Sequence, residues 1–184
     1  MTQDSMLIER AMRLAARAHM GQTRKESNLP YLMHPGMVAL MLARHGFSVQ
    51  VLAAALVHDV LEDTEVGEVE MREELGEEVV GLVKAVSYDQ ALSWEDARVA
   101  YIEAVRGAPE GAKAISVADK IHNAQSLILG HEAMGKTIWG NFTRPRDKKL
   151  WFEEEMLKML RESWQHPLVD EYAALVEELK ALEY

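Results

Sequence analysis

The amino-acid sequence predicts an all-α protein, a single compact helical bundle that occupies residues 1–184 as one domain. Three observations support this fold class. Apolar residues recur about every 3.6 positions along nearly every segment, and no segment shows a reliable alternation of apolar and polar residues, the mark of a half-buried strand. No internal repeat or long low-complexity run divides the chain. A chain of 184 residues is long enough for one domain with a real core and short for two.

Three helices are predicted in the N-terminal third. The first covers residues 4–20, where the apolar side chains fall on one stripe. After a loop, Pro35 suits the first turn of a second helix that runs to about Arg44. Ser48 is the expected N-cap of a third helix. This third helix is expected to continue through the stretch AAALVHDVLEDT at residues 53–64.

The remainder of the chain is also predicted to be helical. A helix over residues 68–75 ends at Gly76, a suitable C-cap. Ser93 and Asp96 have the spacing of a capping box, with aspartate in the position of glutamate or glutamine. The other helices are predicted at 77–87, from Ser93 to about Arg106, and at 110–129, 145–164 and 168–183. The last one is acidic and amphipathic and is expected to pack on the protein's own core.

Composition excludes several classes of protein. The content of 48% hydrophobic and 27% charged residues is that of a soluble globular protein. The apolar runs are far shorter than the roughly 18 residues that span a bilayer, and the N-terminus lacks the order of a secretory signal. No membrane association and a cytoplasmic location are therefore expected. Because the chain has no cysteine, any metal ligand must be histidine, aspartate or glutamate.

The charge distribution points to a small anionic ligand. A net charge of −10 argues against nucleic-acid binding, which needs a basic face. Basic residues nevertheless cluster near the N-terminus, at Arg10, Arg13, Arg17, Arg24 and Lys25. An acidic protein with one basic patch can still bind a small phosphorylated molecule.

The stretch at residues 53–64 places four ionisable side chains in an apolar helix. His58 and Glu62 are i,i+4 neighbours, as are Asp59 and Asp63, so the four occupy two adjacent stripes. Buried charges cost several kcal/mol each unless they are paired. Either this face is wet, or a cation lies against it.

Two further residues could complete a metal site. His34 lies in PYLMHPG and Asp119 lies in ISVADKIHN. Together with His58 and Asp59 they offer two imidazoles and two carboxylates, a set that suits Mn²⁺, Fe²⁺ or Zn²⁺. Such an ion would acidify a bound water. The two acidic residues one turn further along could orient that water or take its proton.

Each of these residues also has an ordinary interpretation. His58 could be a core histidine bonded to a backbone carbonyl, and Asp119 could form a salt bridge with Lys120 or Arg106. The acidic pair could be a solvated helix end, and the Arg–Lys pair at 24–25 an exposed loop. Four other histidines are taken as structural or surface residues: His19, His45, His122 and His131.

The order and spacing of the motifs distinguish between these interpretations. The chain reads RK, PYxxHP, HD 24 residues after the first of these histidines, ED, and then AD-K-x-x-N. This series resembles the HD phosphohydrolase superfamily, and within it the hydrolase domain of RelA/SpoT enzymes and their small stand-alone relatives. The matching text covers roughly residues 10–65 and 111–127. The HD pair alone is widespread, whereas its combination with RK, PYxxHP and ED is far more specific.

The resemblance implies an HD-domain fold and an enzyme that removes the 3′-pyrophosphate from ppGpp and pppGpp, usually with Mn²⁺. Fe²⁺, Zn²⁺ and Co²⁺ are the alternatives, and a guanine nucleotide is the implied partner. Since no synthetase half follows, one-way hydrolysis is expected. The implied metal ligands are His34, His58, Asp59 and Asp119. The implied water-activating or water-positioning residues are Glu62 and Asp63. The implied nucleotide contacts are Arg24, Lys25 and Asn123. Whether the protein is a monomer or a homodimer stays open.

The chain departs from the family pattern at two places. ISVAD stands where VKLAD is common, so Ser116 replaces a lysine, and VSYDQ lacks the usual threonine and lysine. Fewer cations could weaken binding of a highly phosphorylated substrate or change its identity. The basic run RPRDKK at 144–149, which includes Lys148, could supply phosphate contacts instead. Trp151 could stack on a base, although a core position is favoured.

The sequence is therefore compatible with two alternative functions. One is an HD phosphohydrolase for another nucleotide phosphate, such as a nucleoside monophosphate or a 3′-phosphorylated cofactor. The other is a non-catalytic module that binds a metal or a nucleotide. Retention of Glu62 and Asp63 argues against the second, because a merely structural ion would not require them.

Overall fold

The computed structural model describes residues 2–25 and 27–183, and the regular secondary structure of this part of the chain is helical, as predicted. Its only bridge of β type there pairs Thr23 with Pro30. In chain order the elements are α1 Gln3–Ala18, α2 Met33–Arg44, α3 Val49–Leu56, α4 Val60–Asp63, α5 Glu68–Leu75, α6 Glu77–Ala85, α7 Trp94–Gly107, α8 Glu110–Met134, a 3₁₀ helix Gly135–Asn141, α9 Arg146–Ser163 and α10 Pro167–Ala181.

The helix ends follow the local signals in the sequence. The Ser48 hydroxyl accepts a hydrogen bond from the backbone N–H of Val51, and the Ser93 hydroxyl accepts one from that of Asp96. Each bond satisfies a donor that the first helical turn leaves without a partner. Gly76 ends α5 with φ = 87°, a conformation that side chains with a Cβ rarely adopt. These three caps confirm the corresponding predictions.

Helix α8 is the centre of the bundle. It contacts α2, α3, α6, α7 and α10, and its middle turns are buried, including Ile115, Val117 and Ala118. Helix α10 packs on α8 and α9 through an apolar face that includes Leu168 and Tyr172, which are fully buried. The prediction that the last helix covers the protein's own core is therefore confirmed.

The expected continuous helix through residues 53–64 is wrong. Helix α3 ends at Leu56, and a short turn separates it from α4. The carbonyl of Ala55 would pair with the N–H of Asp59 in a continuous helix. It accepts instead from Nδ1 of His58, at 2.8 Å, a side-chain bond that competes with helical pairing. The turn places His58 and Asp59 side by side rather than on separate stripes.

Two smaller differences lie further along the chain. Helix α8 continues to Met134, five residues beyond its predicted end, and the stretch after it contains a 3₁₀ helix.

Within the described residues, no helix combines the length and the apolar character needed to cross a bilayer.

A matched pair of leucines on α2 tests the packing. Leu42 is fully buried, whereas Leu40 is 56% exposed. We expect Leu42→Ala to lower the free energy of unfolding by about 2 to 5 kcal/mol, because it removes a buried side chain and leaves a cavity. Leu40→Ala should change it by less than about 0.5 kcal/mol. Urea denaturation measures both; equal losses would contradict the described packing.

Candidate active site

A cleft of about 720 Å³ opens beside α8 and collects the residues that the sequence singled out. It is lined by the loop after α1, the start of α2, the turn between α3 and α4, and the segments near α7 and α9. Eight of the nine predicted site residues line it: Arg24, Lys25, His34, Asp59, Glu62, Asp63, Asp119 and Asn123. The ninth, His58, is buried directly against Asp59.

The four predicted metal ligands converge on one point. His34 Nε2 lies 3.1 Å from Asp119 Oδ1 and 3.6 Å from Asp59 Oδ2. His58 Nε2 lies 3.1 Å from Asp59 Oδ2 and 3.7 Å from Asp119 Oδ1. Atoms that bind one ion at about 2.1 Å are separated from each other by roughly 3 to 4 Å. His34, His58 and Asp59 each place one ligand atom within 4.8 Å of the others, a spacing that fits a coordination shell, and Asp119 Oδ1 lies within 3.7 Å of both imidazoles.

The hydrogen bonds of His58 leave one nitrogen available for an ion. Because a carbonyl only accepts, Nδ1 must donate to Ala55, so Nε2 of the neutral ring carries a lone pair. That Nε2 is buried and makes no hydrogen bond within the described residues. Buried polar atoms are rarely left this way. A divalent cation among the four ligands fits this orphaned atom and the donor set.

The two imidazoles differ in their electrostatics, and only that of His34 favours the neutral ring in the absence of an ion. Burial lowers the pKa of His34 and so favours the neutral ring that binds cations. Burial also opposes protonation of His58, but the carboxylates of Asp59 and Asp119 outweigh it and raise the pKa of His58 to about 9. A dication in the same place would compete with that proton.

Helix α8 holds Asp119 through both carboxylate oxygens. Lys120 Nζ donates to Oδ2 at 2.7 Å, and Asn123 Nδ2 donates to Oδ1 at 2.5 Å. Burial opposes ionisation, but the ammonium of Lys120 and the imidazole of His34 hold the pKa of Asp119 well below its usual range. The salt bridge with Lys120 and a role as ligand are therefore compatible, since Oδ1 still faces the imidazoles.

The predicted nucleotide contacts are connected to this centre. Arg24 Nη2 donates to Asn123 Oδ1 at 2.7 Å, so Asn123 bridges the guanidinium and Asp119. The Arg24 guanidinium also lies over the Tyr31 ring. Tyr31 in turn donates its hydroxyl to Asp59 Oδ2 at 2.5 Å. A ligand that displaces Arg24 or Asn123 would therefore change the contacts that surround both carboxylates, Asp119 and Asp59.

Glu62 lies at the cleft wall, where its surroundings favour proton transfer. Its Oε1 accepts a hydrogen bond from the backbone N–H of Tyr88 at 3.1 Å. Burial raises the pKa of Glu62 to about 7, and the charge of Asp59 adds to the effect. Asp63 lies next to it at the more exposed edge. A carboxylate with a pKa near neutrality is suited to act as a general base.

Sequence reasoning missed several residues at this site. His122, taken as structural or surface, places its Nδ1 2.7 Å from Nδ1 of His34. Its position three residues after Asp119 put it on the same face of α8, and this was the signal available in the sequence. Arg98 lines the cleft with its guanidinium 3.6 Å from the Tyr88 ring centroid, and no carboxylate pairs with it within the described residues.

The structure corrects the hypothesis that Lys148 contacts phosphate, and it packs Trp151 against the core, as the sequence favoured. Lys148 pairs with Glu95 at 3.1 Å and does not line the cleft. Trp151 also lies outside it, half-buried against the core. Adjacent residues on a helix point about 100° apart, so α9 presents Lys149 rather than Lys148 to the cleft. Arg144, which precedes α9, also lines it.

The two departures from the family pattern lie in different places. Ser116 is buried, with its hydroxyl 2.8 Å from that of Tyr101, and this neutral pair does not line the cleft. The VSYDQ stretch lines the cleft through Tyr88, Asp89 and Gln90. The second departure therefore changes the ligand-facing surface directly.

Comparison with known proteins identifies one domain family and several enzymes of similar sequence. The profile of the HD domain matches residues 11–138. The MESH1 guanosine-3′,5′-bis(diphosphate) 3′-pyrophosphohydrolase of Xenopus tropicalis is 34% identical over 130 residues, which cover 69% of this chain and 73% of that protein. The 3′-pyrophosphohydrolase of Aquifex aeolicus is 31% identical over 134 residues, 71% of this chain, but the chain spans only 19% of that longer protein.

A solved structure extends the similarity to the whole fold. It is described as a metazoan ortholog of SpoT that hydrolyzes ppGpp and plays a role in starvation responses. It superposes with a TM-score of 0.82 at 27% identity, covering 100% of both chains. The chain therefore belongs to the HD-domain family, whose fold implies a divalent metal of the kind that His34, His58 and Asp59 can hold.

Proposed function

We propose that this protein hydrolyses ppGpp and pppGpp, removing the 3′-pyrophosphate to give GDP or GTP and pyrophosphate. The observation that carries the proposal is the convergence of the His34, His58, Asp59 and Asp119 ligand set with the Arg24–Asn123 pair in one cleft. The Xenopus relative, of which the chain covers 73%, has the same activity in its name. Because the chain spans a small part of the longer bacterial relatives, only the hydrolase activity is proposed.

In this proposal His34, His58, Asp59 and Asp119 hold one divalent cation, Mn²⁺ in first place, with Fe²⁺, Zn²⁺ or Co²⁺ as alternatives. The ion would lower the pKa of water and neutralise charge on the phosphoryl group. Mixed nitrogen and oxygen ligation without sulfur suits these metals. Metal availability rather than the ligand set decides among them.

In this mechanism Glu62 accepts a proton from the attacking water, and Asp63 helps to orient that water. Water attacks the phosphorus attached to the ribose 3′-oxygen. A new bond forms between the water oxygen and this phosphorus, and the bond between the phosphorus and the 3′-oxygen breaks. The proton lost by water balances the one gained by the 3′-oxygen, so ppGpp and water yield GDP and pyrophosphate. The pKa of Glu62, raised to about 7 by burial, lets it accept a proton near neutrality.

The nucleotide is assigned to the basic side of the cleft. The Arg24 guanidinium is suited to stacking on the purine, Asn123 can hydrogen-bond it, and Lys25 lines the same wall. A guanine nucleotide is the proposed partner. The cytoplasmic location and the absence of a nucleic-acid partner stay predictions from the sequence.

Arg98 is expected to contribute to phosphate binding. We expect Arg98→Met to raise KM for ppGpp about tenfold, as loss of roughly 1.4 kcal/mol of charge-assisted binding implies. Metal affinity should not change. Lys148→Met is the matched control, because Lys148 is a cation paired with Glu95 outside the cleft. Steady-state kinetics at constant ionic strength measure both; an equal change in KM for the two variants would contradict this assignment.

The second candidate is a phosphohydrolase for a different nucleotide phosphate. It is favoured by the absence of the usual lysine from the VSYDQ stretch, which lines the cleft. The test is a panel of ppGpp, pppGpp, nucleoside 5′-monophosphates and a 3′,5′-bisphosphate nucleotide, compared by kcat/KM. The proposal expects ppGpp and pppGpp to lead. A preference of a hundredfold for another member would replace it.

A further inference from the structure

The most informative contact that the proposed reaction does not use directly is a pair of buried histidines. His34 and His122 are 1% and 6% exposed. Their Nδ1 atoms lie 2.7 Å apart, and their ring centroids are separated by 4.8 Å. On the opposite side of the first ring, His34 Nε2 faces the carboxylates of Asp119 and Asp59. One ring thus connects the centre of the site to a second imidazole behind it.

Which of the two rings donates the hydrogen bond determines whether His34 can bind a cation. Two neutral nitrogens at hydrogen-bond distance share one proton, so one ring donates and the other accepts. If His34 donates, its proton is on Nδ1 and its Nε2 lone pair faces the carboxylates. If His34 accepts, its proton is on Nε2, the atom that faces Asp119, and no cation can bind there. Metal binding by His34 therefore requires His122 as the acceptor.

We propose that His122 is a positioning residue for His34. Its Nδ1 accepts the Nδ1–H of His34, and it thereby holds that ring in the tautomer and orientation that direct the Nε2 lone pair to the cation. Ligand histidines in metal sites usually donate their second N–H to a carboxylate or carbonyl. Here an imidazole has that place.

The position of His122 in the fold supports this role. It lies on α8, three residues after Asp119 and next to Asn123, while His34 comes from α2. Helices α2 and α8 pack against each other, and the histidine contact joins these two ligand-bearing helices next to the candidate metal site. One face of α8 thus supplies a ligand, the support for a second ligand, and a nucleotide contact.

Two amide variants test the proposal without relying on catalysis. In His122→Asn, Oδ1 is two bonds from Cβ, as Nδ1 is in histidine, so it can accept from His34. In His122→Gln, the amide oxygen is three bonds from Cβ and falls near the former Nε2 position. The two variants have the same functional group and differ in where the acceptor lies.

The measurement is binding of Mn²⁺ and Co²⁺ to metal-free protein by calorimetry, together with the visible absorption of the Co²⁺ form. We expect the Kd of His122→Asn to stay within a few-fold of wild type. His122→Gln should weaken binding by about 10- to 100-fold and shift the Co²⁺ bands. Melting temperatures of the metal-free forms should be similar for the two variants, which separates positioning from general stability.

The inference rests on the metal-binding part of the proposed function and not on the substrate. Failure of ppGpp turnover would therefore leave it intact if the two variants still differ in metal affinity. Equal affinities for His122→Asn and His122→Gln would overturn it, and so would wild-type protein that binds neither ion.

Discussion

His58→Ala is expected to lower kcat/KM for ppGpp by roughly 1,000-fold or more. The ion contributes several kcal/mol of charge stabilisation in the transition state, and 4 kcal/mol corresponds to about that factor. His58 is the residue to change because its Nε2 is buried among the carboxylates without a hydrogen bond of its own within the described residues. Loss of this ligand should also lower the metal content of purified protein, which elemental analysis measures.

His45→Ala is the matched control. His45 is an exposed histidine at the end of α2, with its ring near His166 and away from the cleft. Its replacement should leave kcat/KM and metal content at wild-type values. A His58→Ala protein that keeps near-normal turnover would contradict the metal assignment, provided that circular dichroism shows the fold intact.

Glu62→Gln is expected to lower kcat by about 100- to 10,000-fold while KM and metal content stay close to wild type. This is the range that removal of a general base produces. In wild-type protein the active form of Glu62 is the carboxylate, so kcat should rise with pH and level off. The apparent pKa of that limb should lie above the ordinary value of 4.5 and no higher than about 7, since a bound cation would offset the charge of Asp59.

Measurements of stability distinguish the expected loss of kcat in Glu62→Gln from a folding defect. The folded-state pKa of Glu62 is raised, so the folded protein loses stability relative to the unfolded chain as pH rises from about 4.5 to 7. Glutamine removes that term, and metal-free Glu62→Gln should be no less stable than wild type at pH 8. Glu65→Gln, an exposed neighbour, should keep full activity. An unchanged acidic limb in Glu62→Gln would assign the proton transfer to another group.

Much of the fold follows from local signals in the sequence. Helix ends could be predicted at three positions, Ser48, Ser93 and Gly76. Each serine accepts a hydrogen bond from a backbone N–H in the first turn of its helix, and Gly76 adopts the positive φ that ends α5. Such caps depend only on residues close in sequence. The residue types predicted the metal-ligand set and the acidic pair beside it, and the resemblance added the nucleotide contacts. The structure brings all nine residues together.

The features that sequence reasoning missed depend on contacts between distant segments or on competition within one turn. The break after Leu56 arises because His58 takes the carbonyl of Ala55, a choice that helical periodicity does not encode. The role of His122 requires α2 to lie beside α8. The selection of Lys149 rather than Lys148 for the cleft depends on a rotation of about 100° along α9.

The decisive measurement is turnover of ppGpp by metal-stripped protein before and after addition of Mn²⁺, with GDP and pyrophosphate quantified together. We expect no turnover without metal, and one GDP and one pyrophosphate per ppGpp once Mn²⁺ is restored. Turnover that persists in the stripped protein, or none from protein shown to hold Mn²⁺, would contradict it.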